Sequence, residues 1–201
     1  SSKMVKIPFE LIQDSAIDLA SLTGTILGER IGRIQNDHFT TGTGAGQPKG
    51  VTLTSTLGVT SATATAIKAD ELIDLIYSVD PAYRIGAGFL MHDGIFLAIS
   101  KLKDGQGQYL FQGVNTSNVL AIKGYPITIN MSMQSTVATG TKTVLFGQLN
   151  KYKIRDAGDV RLIRLDERYA ELDQVAFVSF MRSDGNLLDA GVAPVKHLLQ
   201  A

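Results

Sequence analysis

Thr40-Thr41-Gly42-Thr43-Gly44-Ala45-Gly46-Gln47-Pro48-Lys49-Gly50 is a glycine-dense turn that follows a helical pattern and runs into the β-branched residues Val51, Thr52 and Thr54. Glycine clusters that cradle phosphates follow a strand and open a helix, so that backbone N–H groups and the helix N-terminus both face the anion. Here the order is helix first, then turn. The P-loop spacing fails because Lys49 is not followed by Ser or Thr in a Gly-Lys-Ser/Thr triplet. The dinucleotide spacing fails as well, since the third glycine position holds Gln47 or Lys49. The turn is therefore expected to join two elements and to bind no phosphate compound such as ATP, GTP or NAD.

Upstream of the turn, Leu22, Ile26, Leu27, Ile31 and Ile34 recur at helical spacing, with Glu29 and Arg33 paired at i,i+4 on the other side. Gly24, Gly28 and Gly32 sit one turn apart in this helix. Each costs up to about 1 kcal/mol relative to alanine, so the row is expected to serve tight packing on a sheet or a neighbouring subunit. Earlier still, Lys3, Val5, Ile7 and Phe9 alternate with Ser2, Met4 and Lys6, which reads as a strand ending near Pro8. Asp14 and Ser15 read as the start of a short helix to about Ala20. A strand so near Ser1 suggests that upstream sequence has been removed.

Downstream, residues 55–66 are rich in Ser, Thr and Ala and read as loop or edge strand. Residues 68–79 read as a helix with Asp70, Glu71 and Asp74 towards its N-terminus, where the dipole favours them, and Asp80-Pro81 stops it. Residues 88–91 read as a buried strand and 95–103 as a helix, with an exposed, mobile turn over 103–109 around Asp104-Gly105. Strands are expected at 126–133, where Ile127, Ile129 and Met131 alternate with polar residues, and at 142–149, 160–165, 175–182 and 194–199. Residues 183–186, Ser-Asp-Gly-Asn, read as a turn. Helices in the middle with strands at both ends give an α+β chain.

Nineteen basic and nineteen acidic residues cancel, which removes the overall positive field of a protein that grips nucleic acid through phosphates. With no cysteine there are neither disulfides nor thiolate chemistry. His38, His92 and His197 are far apart and show no paired ligand spacing, so no metal is expected. No apolar run approaches the roughly 20 residues that span a bilayer. Ser, His and Asp are all present, yet Gly-x-Ser-x-Gly, His-Glu-x-x-His and kinase signatures are absent. His92-Asp93 could pair as base and orienter, but a helix N-cap by Asp93 explains it more simply. His38 beside Phe39 reads as a dipole contact at a helix C-terminus. Arg161, Arg164, Asp166, Glu167, Arg168, Glu171 and Asp173 read as a solvated face or an inter-subunit salt-bridge surface rather than a catalytic cluster. No catalytic residue, cofactor or metal site is assigned. The alternative function is a small α+β hydrolase or ligand-binding domain.

The helix-to-turn junction resembles that of the major capsid proteins of tailed double-stranded DNA bacteriophages and prophages, where a long helix ends in Gly-x-Gly-x-Gly-Gln-Pro-x-Gly. Further segments are similar in the same order: the opening strand from Ser2 to Ser15, Leu90-Met91-His92-Asp93, the run from Leu102 to Phe111, Lys123-Gly124-Tyr125-Pro126-Ile127, the run from Val144 to Leu149, and the ending near Phe177 to Arg182. The resemblance implies the tailed-phage capsid fold, with a peripheral domain of long helix plus β-sheet from residues 1–58 and 151–201 and an axial α/β domain from 59–150. It implies a non-enzymatic subunit that self-associates into pentamers and hexamers of an icosahedral shell around non-specifically held double-stranded DNA. The chain would be made in a bacterial cytoplasm, would reside in the virion and would touch no membrane. In that family an N-terminal arm and an extended loop precede the opening strand. Without them the chain is expected to fold as a monomer or small ring and to form no shells.

Overall fold

The computed structural model describes residues 2–15, 18–110, 121–189 and 191–201. Ser1, Phe111 and the stretch around Ala16, on which parts of the readings above fall, lie outside the described residues.

The chain opens with strand β1 (Ser2–Pro8), followed at once by helix α1 (Phe9–Asp14) and the long helix α2 (Leu19–Thr41). The short helix thus ends at Asp14 and Ser15, where the sequence suggests that it begins. Pro8 supplies the preset φ of −57° at the N-cap, and the Phe9 N–H donates to the Asp173 carbonyl at 2.9 Å, which leaves Asp14 no capping role. Asp18 starts α2 instead, its Oδ1 accepting from the Ser21 N–H at 3.2 Å.

Helix α2 lies on a three-stranded antiparallel sheet in the order β1-β9-β8, with β8 at Arg161–Leu165 and β9 at Gln174–Phe180. The register sets Val5 opposite Phe177 and Ile7 opposite Val175. On this face Ile7, Leu27, Val175 and Phe177 form a small core. Only part of the apolar stripe of α2 is used: Leu27 and Ile31 are buried, whereas Leu22 and Ile26 are exposed. Within the subunit the glycine row is not tightly packed on the sheet, the first of its two expected partners. A Cβ built on Gly28 or Gly32 meets nothing within 4 Å, and one on Gly24 meets Leu162 Cδ2 at an ordinary 4.0 Å.

The larger unit is a six-stranded mixed sheet in the order β2-β11-β6-β3-β5-β4. Its strands are β2 (Thr56–Thr60), β3 (Gly88–Met91), β4 (Ala121–Ile122), β5 (Tyr125–Ile129), β6 (Lys142–Gly147) and β11 (Val195–Leu199). Helices α4 (Ala69–Ser78) and α5 (Asp93–Ser100) cover one face. There Leu72, Leu75, Ile95 and Ile99 pack with Phe89, Met91, Val144 and Phe146. Helix α3 (Val51–Thr54) lies on the other face, with Leu90, Leu145, Leu187 and Val195. Because both faces are covered, β3 reads as an unbroken apolar run, and all four of its residues are buried. Buried Glu71 does more than complement the α4 dipole: its carboxylate accepts from Ser61 Oγ at 2.8 Å, the Ala62 N–H at 2.9 Å and the Lys68 N–H at 3.0 Å, and so pins the segment before α4.

Two further expectations are corrected. Residues 183–186 are not a turn but part of strand β10 (Ser183–Leu187), which pairs antiparallel with β7 (Tyr152–Asp156). Gly185 is there for space: a Cβ would lie 2.4 Å from Tyr152 Oη and 3.0 Å from Phe39 Cδ1. Strand β5 ends at Ile129, so Met131 is 66% exposed instead of continuing the alternation. The last strand, β11, pairs with β6 and with β2 inside the six-stranded sheet.

Candidate functional site

The glycine turn closes on itself. Thr43 and Lys49 form a β-bridge, the Gly44 N–H donates to the Pro48 carbonyl at 3.3 Å, and the Gly50 N–H donates to the Gly42 carbonyl at 2.8 Å. Gly44 and Gly46 take φ of 80° and 70°. A Cβ on Gly42 would sit 2.2 Å from both the His38 and Pro48 carbonyl oxygens, so only glycine fits where the helix hands over to the turn. These N–H groups are spent on carbonyls of the same loop, whereas an anion cradle needs them converging on empty space.

The three histidines serve separate local ends. His92, not Asp93, caps α5, its Nδ1 accepting from the Gly94 N–H at 2.9 Å, while Asp93 is the first helical residue. His38 sits in the last turn of α2, as read from the sequence. His197 is buried in β11 with its Nδ1 3.0 Å from Ser55 Oγ, a pairing across 142 residues that no sequence spacing announces. Ser55 Oγ also lies 2.8 Å from the Thr52 carbonyl; with the hydroxyl proton donated there, the imidazole carries its proton on Nδ1 and donates to the hydroxyl. That polarity is the reverse of a general base. Burial and the Lys142 cation push the His197 pKa down to about 4, with Ser55 offsetting part of this, and no carboxylate among the described residues orients the ring. Burial also lowers the Lys142 pKa, and its Nζ donates to the Thr52 carbonyl at 2.6 Å. The cluster locks α3, β6 and β11 together and does not activate a nucleophile.

A second polar cluster ties α2 to the six-stranded sheet. Asn36 Nδ2 donates to Asn130 Oδ1 and Ser132 Oγ, each at 2.9 Å, and Asn130 Nδ2 donates to Thr40 Oγ1 at 2.8 Å. Ser132 Oγ also donates to Asp37 Oδ1. Nearby, Tyr152 Oη donates to the Lys49 carbonyl at 2.8 Å, and burial with neighbouring Asp184 raises its pKa to about 12, which keeps it a neutral donor. Two of the open grooves border the β7-β10 ribbon. One, of about 620 Å³, runs between α2, the glycine turn and β10. The other, of about 640 Å³, has Ile163, Phe180 and Met181 beneath Arg161 and Arg182. Neither converges polar groups on one point as a reaction centre would.

The mixed charge run is where the sequence places it, on β8 and the segment after it, and all seven of its charged residues are exposed. Among the described residues one ion pair forms, Arg164 Nε to Asp166 Oδ1 at 2.6 Å, half-exposed. No group of three or more His, Cys, Asp or Glu among the described residues could hold a metal ion, and no helix among them is long and apolar enough to cross a membrane. The turn over Lys103 to Tyr109 is exposed and hairpin-like, with a Lys103–Tyr109 bridge and Asp104 Oδ1 accepting from the Gln106 and Gln108 N–H groups.

The model of the phage capsid family matches residues 2–197. The fold is similar to the capsid of a native GTA particle computed with C5 symmetry, at TM-score 0.88 and 25% identity, covering 100% of this chain and 72% of that one. The capsid of an empty GTA particle gives TM-score 0.89 and 26% identity with the same coverage. A Gordonia phage Cozz chain shares the fold at TM-score 0.74 and 14% identity, over 100% of this chain and 69% of that chain. No curated protein matches the chain.

Proposed function

Since the chain belongs to the phage capsid family and is a structural capsid subunit, we propose that it closes into five- and six-membered rings that join into an icosahedral shell around double-stranded DNA. Residues 1–58 and 151–201 serve as the peripheral part and 59–150 as the axial part around the ring axis, with β11 returned to the axial sheet. The likeness to a capsid computed with C5 symmetry over 100% of this chain carries the reading. Repeated heterologous contacts between identical subunits suffice for it, because a head-to-tail contact whose rotation closes gives a ring without any chemical step. The balanced charge supports a wall that holds its genome loosely, since dense Lys/Arg contacts would grip DNA with a steep salt dependence. The shell resides in the virion, after synthesis in a bacterial host cytoplasm.

Electron microscopy and sedimentation of the purified chain over a concentration series test the reading. Small rings of five and six subunits, short of closed shells, are expected. A chain that stays monomeric up to its solubility limit contradicts it.

A further inference from the structure

We propose that the three-stranded sheet β1-β9-β8 docks end to end on the same sheet of a second copy, with exposed Leu172 and Leu11 of one copy entering the groove around Phe180 and Ile163 of the next. The inference rests on the shell-subunit reading and names a surface through which the subunits meet.

Strand β9 runs the length of this sheet, seven residues or about 24 Å, and its two ends are unlike. At the Phe180 end, Ile163, Phe180 and Met181 form the floor of the groove of about 640 Å³. Phe180 is 45% exposed there, and Val160 beside it is 51% exposed. Arg161 and Arg182 stand on the rim together with Asp159. At the opposite end, Leu172 is 61% exposed and Leu11 52% exposed. They are flanked by Glu10, Asp14, Glu167, Glu171 and Asp173, all exposed, against two basic neighbours that no ion pair engages, Arg168 and Lys6, the latter with its Nζ 4.0 Å from the Tyr169 ring centroid. The Phe9 N–H to Asp173 carbonyl bond fastens α1 to the 170–173 segment, so Leu11 and Leu172 belong to one surface.

Charge decides the occupant. The groove offers an apolar floor with two arginines, and Arg161 and Arg182 take no part in the ion pairing formed among the described residues. The far end of the same sheet offers apolar side chains ringed by carboxylates, the complement in both respects. A two-fold pairing would set acidic end on acidic end and is opposed by like-charge repulsion. The contact is therefore heterologous, as ring closure requires.

Paired charge reversals test this. One variant carries Arg161→Glu and Arg182→Glu, so that both ends are acidic; a second carries Glu10→Arg and Glu171→Arg, so that the carboxylate-ringed end turns basic. All four positions are exposed, so the monomer fold should persist, as checked by melting temperature. Sedimentation should show each variant alone associating at least about tenfold more weakly than the wild type, while their equal mixture, and the chain carrying all four changes, recover association. Leu172→Ser, at a side chain outside the described cores, should weaken association without any change of charge and carries the test should a charge variant misfold. Variants that assemble like the wild type, or a mixture no stronger than its components, overturn the docking and leave the shell reading standing. A wild-type chain that never associates overturns the shell reading itself.

Discussion

The two sheets of this molecule solve burial differently. The six-stranded sheet is covered on both faces, and Phe89, Met91, Val144, Leu145 and Phe146 are fully buried in its middle strands. The three-stranded sheet carries one helix on one face and a core of four buried residues, while Met4, Leu162 and Phe180 on its strands remain exposed. A covered sheet is stable by itself. A half-covered sheet with an acidic, apolar end and an arginine-rimmed groove is a surface that a second copy completes.

Substitutions at the two sheets should break this contrast most sharply if it is wrong. Phe146 packs on Phe89 at a centroid distance of 4.7 Å and on Tyr125 at 5.0 Å. Phe146→Ala should destabilise the free chain by about 3–5 kcal/mol in chemical unfolding. Leu162→Ala, at a side chain 46% exposed in the other sheet, should stay within about 0.5 kcal/mol. Equal losses would mean that the smaller sheet is as fully packed as the larger.

The His197 cluster sharpens the comparison on the six-stranded side. Its folded pKa of about 4 lies below the ordinary 6.5, so the unfolded chain binds the proton first as pH falls. The stability tied to neutral His197 is complete above about pH 6.5 and is lost progressively towards pH 4, by on the order of 2–3 kcal/mol. Urea unfolding of the wild type and of His197→Gln at several pH values measures this. The variant should be weaker at neutral pH and flatter with pH, and an unchanged slope would show that the buried ring does not set the acid limit.

The smallest expected effect lies on α2. Gly28 has open space where a Cβ would go, so Gly28→Ala should raise the melting temperature of the free chain, corresponding to about 0.5–1 kcal/mol. A lower melting temperature would mean that the glycine is needed within the subunit after all.

Most helices and strands were legible because their signals are local. Asp80-Pro81 ends α4, Gly88 to Met91 is a continuous apolar strand, and the glycine turn follows the long helix α2. Several of the readings that failed depended on distant partners. Gly185 looks like a turn residue until Tyr152 and Phe39 are seen to fill the space of its side chain. Asp14 looks like a helix cap until the Asp173 carbonyl takes up the Phe9 N–H. The glycine row of α2 announced close packing, yet which body packs there is not written in the spacing. The Ser55–His197 pair and the joining of α1 to the 170–173 segment arise from contacts between segments more than 100 residues apart, and periodicity carries no trace of such contacts.

The central claim is that the smaller sheet finishes its burial in the assembly while the larger one needs no partner. Hydrogen exchange of the chain before and after association tests it most directly. Amides of α1 and of residues 157–160 and 170–173, at the two ends of the three-stranded sheet, should become protected on assembly, while those of β3 and β6 stay equally slow in both states. Protection that appears instead over the six-stranded sheet, with the ends of the smaller sheet unchanged, would contradict the account.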